Sequence, residues 1–136
     1  MSRLIEEFSH KKDFYYEKGA SEEQIKEAEK KLGLKFADDY KDYLQQYGAV
    51  SCGGHELTGF SAEAELDVVS VTIAQRKKNP NINEAYYAIE ETHMDGIVIW
   101  QTKSGEVFQS EYKGTPTKIH NSLTEYVATF ENADDK

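Results

Sequence analysis

The chain has 136 residues, with 16 basic and 25 acidic side chains and a formal charge of −9. That length suits one domain, and a 38% hydrophobic, 12% aromatic composition supplies a core, which excludes wholesale disorder. An acidic surface repels phosphate, so nucleic acid and anionic membranes are poor ligands; a basic protein partner or plain solubility accounts for the balance.

The charge is uneven. Residues 1–50 hold 9 basic and 11 acidic groups, net −2, leaving 7 against 14, net −7, for residues 51–136. No run approaches the roughly 18 apolar residues of a membrane helix. Glu6 and Glu7 stand where a secretory signal needs an apolar stretch. The single cysteine, Cys52, has no internal disulfide partner, which suits a reducing compartment, and the expected location is the cytoplasm.

Leu4, Ile5 and Phe8 predict a short first helix. Residues 21–48 predict two more. Ser21 and Gln24 form a capping box, and Ile25, Ala28 and Leu32 make a narrow buried stripe. Lys30 and Lys31 suit the last turn, and Gly33 suits a left-handed stop. The next helix repeats this scheme, with Tyr40, Tyr43, Leu44 and Tyr47 on one face and Gly48 as its end.

Residues 48–54 read as a loop and 56–60 as a short strand. Residues 67–78 stay ambiguous: Asp67 is a good cap and Lys77, Lys78 and Pro80 suit a helix end, but Val68, Val69, Val71, Thr72 and Ile73 favour a strand. Residues 85–90 and 97–101 read as strands around a turn at 93–96. A four-residue loop at 102–105 leads into a strand at 106–110, with Val107 and Gln109 facing one way and Phe108 and Ser110 the other. Residues 112–117 connect to a last helix, capped by Ser122 and Glu125, with Leu123, Tyr126, Val127 and Phe130 on one face. Residues 131–136 read as a frayed polar tail. The sum is an α+β fold in a single domain, with helices packed on one side of a largely antiparallel sheet.

Few residues suggest chemistry. Cys52 and His55 have the spacing of a thiol–imidazole pair or half a metal site, yet no second closely spaced pair completes it. Gly53 and Gly54 lack the Lys-Ser or Lys-Thr that would hold a phosphate. Adjacent acids such as Glu90 and Glu91 face opposite ways on a strand and cannot share a proton. No catalytic residue, cofactor or metal is expected. Tyrosines Tyr40, Tyr43, Tyr47 and Tyr126 have core positions, one of Tyr86 and Tyr87 must face inward, and Trp100 is expected at least half buried. Tyr15, Tyr16 and Tyr112 have no such assignment, though packing is favoured over binding. The acids most suggestive of a partner are Glu63, Glu65 and Asp67, with Glu84, Glu90, Glu91 and Asp95; the alternative is a solvated face.

The helix pair, the segment before Pro80, the hairpin through Gly105, Glu106, Val107 and Phe108, and the run from Asn121 to Tyr126 resemble the SUKH superfamily, the Smi/Knr-like family. The densest stretch is Glu22-Glu23-Gln24-Ile25 through Glu29, Leu32, Gly33, Leu34 and Phe36 to Tyr40 and Leu44, and the likeness spans residues 19–130. One departure is Ala37, where members often have proline. The resemblance implies a helix at residues 67–78 and no catalytic constellation. It implies an immunity protein that binds and neutralises a cognate toxin, expected to be a nuclease domain. The alternative it leaves is a non-enzymatic regulatory or scaffolding module akin to regulators of cell-wall synthesis. The more acidic second half is expected to carry the partner contacts.

Overall fold

The computed structural model describes residues 3–133. Among these residues, five helices and two antiparallel sheets make up an α+β domain. The helices are α1 (Arg3–Phe8), α2 (Glu22–Leu32), α3 (Asp38–Tyr47), α4 (Val68–Lys78) and α5 (Leu123–Ala128). The smaller sheet has the order β1 (Tyr15–Tyr16), β2 (Val50–Cys52), β3 (His55–Leu57). The larger is a meander of β4 (Tyr87–Glu91), β5 (Ile97–Gln101), β6 (Val107–Glu111) and β7 (Thr117–His120).

Local chemistry sets the helix ends. Ser21 Oγ accepts from Gln24 N–H at 3.2 Å and Gln24 Oε1 accepts from Ser21 N–H at 2.9 Å, so the capping box is reciprocal. Gly33 stops α2 at φ 69°, where Leu34 N–H reaches back to Glu29 O at 3.1 Å. At α5, Ser122 Oγ caps Glu125 N–H at 3.1 Å, while the Glu125 carboxylate takes the Asn121 N–H at 2.8 Å. The box is displaced there by one residue.

The ambiguous segment is helical. Its β-branched residues cost a few tenths of a kcal/mol each in a helix, and tertiary burial outweighs that. Val68, Val71 and Thr72 fall at i, i+3 and i+4, and all are buried. Thr72 Oγ1 also accepts the Ala88 N–H of β4 at 2.9 Å, and Asp67 caps Ser70 N–H at 3.0 Å.

Helices α1, α2, α3 and α5 share a large core with Tyr87, Ile89, Ile99 and Val107 of the meander. Its other face carries a smaller cluster, in which Ala88, Val98 and Trp100 meet Val71 and Ile82. α4 serves both, through Val68 and Val71. Trp100 is fully buried, with its Nε1–H donating to Ser110 Oγ at 2.9 Å.

The tyrosines do more than fill space. Tyr43 Oη donates to Thr58 O at 2.7 Å and accepts from Val50 N–H at 3.1 Å. Tyr40 Oη donates to Thr58 O at 3.2 Å, and Thr58 in turn donates through Oγ1 to Ala88 O at 2.7 Å. Thr58 thus ties the small sheet to the large one. Tyr87 Oη accepts from Ala37 N–H at 2.9 Å and donates to Gln101 Oε1 at 2.7 Å. Gln101 Nε2 continues to Asp39 Oδ1 at 3.0 Å, and Asp39 Oδ2 accepts the Leu123 N–H at the start of α5 at 2.9 Å. Burial raises the Asp39 carboxyl above its ordinary range, while the Leu123 N–H and Gln101 bonds pull it down.

This network explains the alanine at position 37. Its φ of −66° would accept proline. A proline ring, however, removes the N–H held by Tyr87 and pushes its Cδ against the hydroxyl. Ala37→Pro is expected to destabilise by about 1–2 kcal/mol, read from urea midpoints. An increase in stability would show that the Tyr87 contact contributes little.

Three features differ from the sequence expectations. Residues 48–54 contain β2 rather than only loop, and the connection after residue 112 contains β7. Both strands are short: β2 alternates over only three residues beside Gly53 and Gly54, and β7 is exposed along most of its length. The segment expected to fray is tied down through Ala133: Lys12 N–H donates to Glu131 O at 2.9 Å and Ala133 N–H to His10 O at 2.9 Å. Residues 134–136 lie outside the described part.

Candidate functional site

The sequence-selected acids do not form one cluster. Glu63 and Glu65 are exposed around the short turn Ala64–Leu66 that precedes α4. Asp67 is half-buried and spends one carboxylate oxygen on the α4 cap. Glu84 is exposed, and its carbonyl accepts from Arg76 at 2.9 Å. Asp95 is exposed in the β4–β5 turn at φ 53°. Glu91 beside it binds His93 Nδ1 at 2.6 Å.

Glu90 departs from the expectation of a surface acid, being only 4% exposed. A register shift between Ala88 and Glu90 turns it inward. There its carboxylate meets His55 Nδ1 at 3.0 and 3.1 Å, accepts Glu56 N–H at 3.3 Å, and takes a short hydrogen bond from Tyr126 Oη. Burial, and then the Glu90 charge, push the Tyr126 hydroxyl well above 10. His55 also stacks on Phe130, with ring centroids 3.7 Å apart. Glu90 is therefore a buried anchor between the two sheets and α5.

Cys52 lies opposite His55 across the β2–β3 pair. Its thiol is 1% exposed and pushed up to about 12 by burial, with Glu90 adding and Lys11 opposing. A thiol held protonated in the core is a poor nucleophile, and His55 is engaged by Glu90. Among the described residues no group of three or more His, Cys, Asp or Glu could hold a metal.

Two adjoining clefts bring surface groups together. The first, about 880 Å³, runs between α2 and residues 60–70. Its charged lining is Glu17, Glu23, Glu27 and Asp67 against Lys18 and Lys31. Ser61 Oγ donates to Glu17 Oε2 at 3.0 Å across it. The second, about 110 Å³, is walled by Tyr15, Tyr16, Val50 and Leu66, with Glu17 and Glu56 among its lining. Glu17 is common to both.

Basic groups gather elsewhere: Lys26, Lys30, Lys35, Lys41 and Lys103 ring a groove of about 940 Å³ with Glu29 and Asp38. This segregation leaves the remaining surface more acidic than the net charge suggests.

The clefts are lined by Glu17, Glu23, Glu27 and Glu56, which the sequence does not single out as partner contacts, and by Tyr15 and Tyr16, for which it favours packing. Those two tyrosines are 70% and 61% exposed. The available signal was that adjacent tyrosines in a strand face opposite ways, so both cannot be core.

With this fold in place, a family model described as SUKH_5, SMI1-KNR4 cell-wall, matches residues 1–130. The chain belongs to that family. No curated protein matches this sequence. The match covers all five helices and both sheets of the SUKH domain, from α1 through α5. Among the described residues of this SUKH protein, no helix is long and apolar enough to cross a membrane.

Proposed function

We propose that this SUKH-family chain is an immunity protein, a cytoplasmic antitoxin that binds a cognate toxin domain and blocks it by occlusion. The observation that carries the reading is the pair of adjoining clefts, whose exposed charged lining is mainly carboxylate in a chain of net charge −9. A nuclease must attract polyanionic substrate and therefore presents a basic surface. An acidic inhibitor matches that field, and complementary fields raise association rates to about 10⁸–10⁹ M⁻¹s⁻¹. Stable inhibition needs about 1,600 Å² of total buried surface. The function requires binding and no chemistry, in keeping with an engaged His55 and a buried Cys52.

Co-expression with any toxin domain found encoded beside the gene tests this directly. Growth is expected to be restored, and the purified pair is expected to co-elute. A second reading, a regulatory or scaffolding module, draws on the cell-wall description of the matching family. Failure of both rescue and binding would favour it.

A further inference from the structure

The outer face of the small sheet has no covering element among the described residues. Tyr15, Ser51 and Glu56 lie in one cross-strand row, from the pairings Tyr15 with Ser51 and Ser51 with Glu56. The neighbouring row of Tyr16, Val50 and Leu57 turns toward the core, where Val50 and Leu57 are buried. Tyr16 is held by Phe14 and Tyr47, with ring centroids 5.4 and 5.2 Å away. Among the described residues Tyr15 makes no ring contact of that kind, and it projects from the outer row, 70% exposed. Beside it, half-exposed Leu66 closes the 110 Å³ cleft, and Glu17 and Glu56 complete its lining.

We propose that this cleft receives a single lysine or arginine side chain of the bound toxin, with Tyr15 as the main anchor of the interface. This rests on the immunity reading and names the surface it uses. The chemistry fits a cationic side chain better than an aliphatic one. Its methylene stem lies along Tyr15 and Leu66, and its head reaches the Glu17 and Glu56 carboxylates. The Tyr15 ring face adds attraction for the cation. The site is preorganised: β1 is fixed by its pairing to β2 and by Glu17 N–H donating to Ala49 O at 3.0 Å, so little ordering is left for binding. Beyond the cleft, Glu63 and Glu65 around the Ala64–Leu66 turn and Glu23 and Glu27 of α2 in the adjoining cleft extend the acidic surface. They steer encounter while the cleft sets residence time.

The test uses the full chain and a catalytically inactive form of whichever toxin domain the co-expression experiment pairs with it, with affinity measured at two salt concentrations. Tyr15→Ala is expected to weaken binding by about 30-fold or more, mostly through faster dissociation. The double variant Glu17→Gln/Glu56→Gln is expected to weaken it about tenfold and flatten its salt dependence. All three positions are exposed, so thermal melts should match the parent. Met94→Ala/Tyr112→Ala supplies the control, because Met94 and Tyr112 are 64% and 67% exposed at a different edge of the molecule. It should change affinity less than twofold. If the parent binds and Tyr15→Ala binds equally well, the cleft proposal is overturned and the immunity reading stands. If the control loses affinity and Tyr15→Ala does not, the interface lies at the β4–β5 turn. If the parent itself neither binds nor protects, both proposals fall.

Discussion

Raising the pH above 10 is expected to unfold this protein steeply and cooperatively. Tyr40, Tyr43, Tyr87 and Tyr126 are each 6% exposed or less, and burial raises every one of their hydroxyls above the ordinary value of 10. In the unfolded chain these groups lose their protons near pH 10; in the folded chain they keep them. The folded state therefore binds more protons above pH 10, and stability falls as pH rises. Below pH 10 their contribution is fully present. Each such group removes about 1.4 kcal/mol per pH unit above that point, so four remove about 5–6 kcal/mol per unit. The Cys52 thiol, moved from 9.0 to about 12 by burial, acts in the same direction between those values.

A domain of ordinary stability, about 5–15 kcal/mol, would then unfold within about one to three units of pH 10. Circular dichroism and tyrosinate absorbance followed from pH 8 upward should show one joint transition. Tyr126→Phe should make the alkaline slope shallower by about a quarter. Retention of the fold with tyrosinate already formed would mean that these hydroxyls ionise in place, and the hydrogen-bonded staples to Thr58, Gln101 and Glu90 would then lose their assigned weight.

Gly59→Ala is expected to be the most damaging small substitution among the described glycines. A Cβ there would lie 1.5 Å from Gly48 O and 2.6 Å from Gly48 C, both backbone atoms. Neither can move freely. Phe60 N–H donates to Gly48 O at 3.0 Å, Gly59 N–H to Leu66 O at 2.9 Å, and Val68 N–H to Gly59 O at 2.7 Å. Parting the two strands of chain would break the junction that places α3, β3 and α4. The expected loss is about 4 kcal/mol or more, which in a marginal domain means little folded protein. Gly33→Ala is the comparison. Nothing stands within 4 Å of its Cβ, so only the positive φ of 69° opposes it, at about 1–2 kcal/mol. Chemical denaturation of both variants measures the difference. Equal losses would show that the Gly48–Gly59 approach can relax.

The two predictions concern the same region. Gly59 follows Thr58, and Thr58 is the residue on which Tyr40 and Tyr43 converge. The small sheet, α3 and the meander meet there. The proposed cleft stands on the outer side of that small sheet, which gives it a rigid base.

The capped helices were legible because their determinants are local: Ser21 and Gln24 are three residues apart, and Gly33 ends its helix through its own backbone freedom. The alternation in β6 was legible for the same reason, since Val107 and Phe108 belong to opposite faces whatever they pack against. The α+β class followed from the order of those elements. Tertiary structure decided the remainder. The helix at α4 depends on Thr72 meeting β4 and on Val68 and Val71 reaching two separate clusters, against the preference of β-branched residues. The inward turn of Glu90 depends on a register shift and on His55 and Tyr126, which lie 35 and 36 residues away along the chain. The exposure of Tyr15 and Tyr16 depends on which segments pack over a two-residue strand, both of whose residues are exposed. Local rules fix backbone shape within a turn or two of helix. Whether a carboxylate or a tyrosine faces solvent is set by contacts between segments distant in sequence, and there the acids and aromatics of this chain acquire their separate roles.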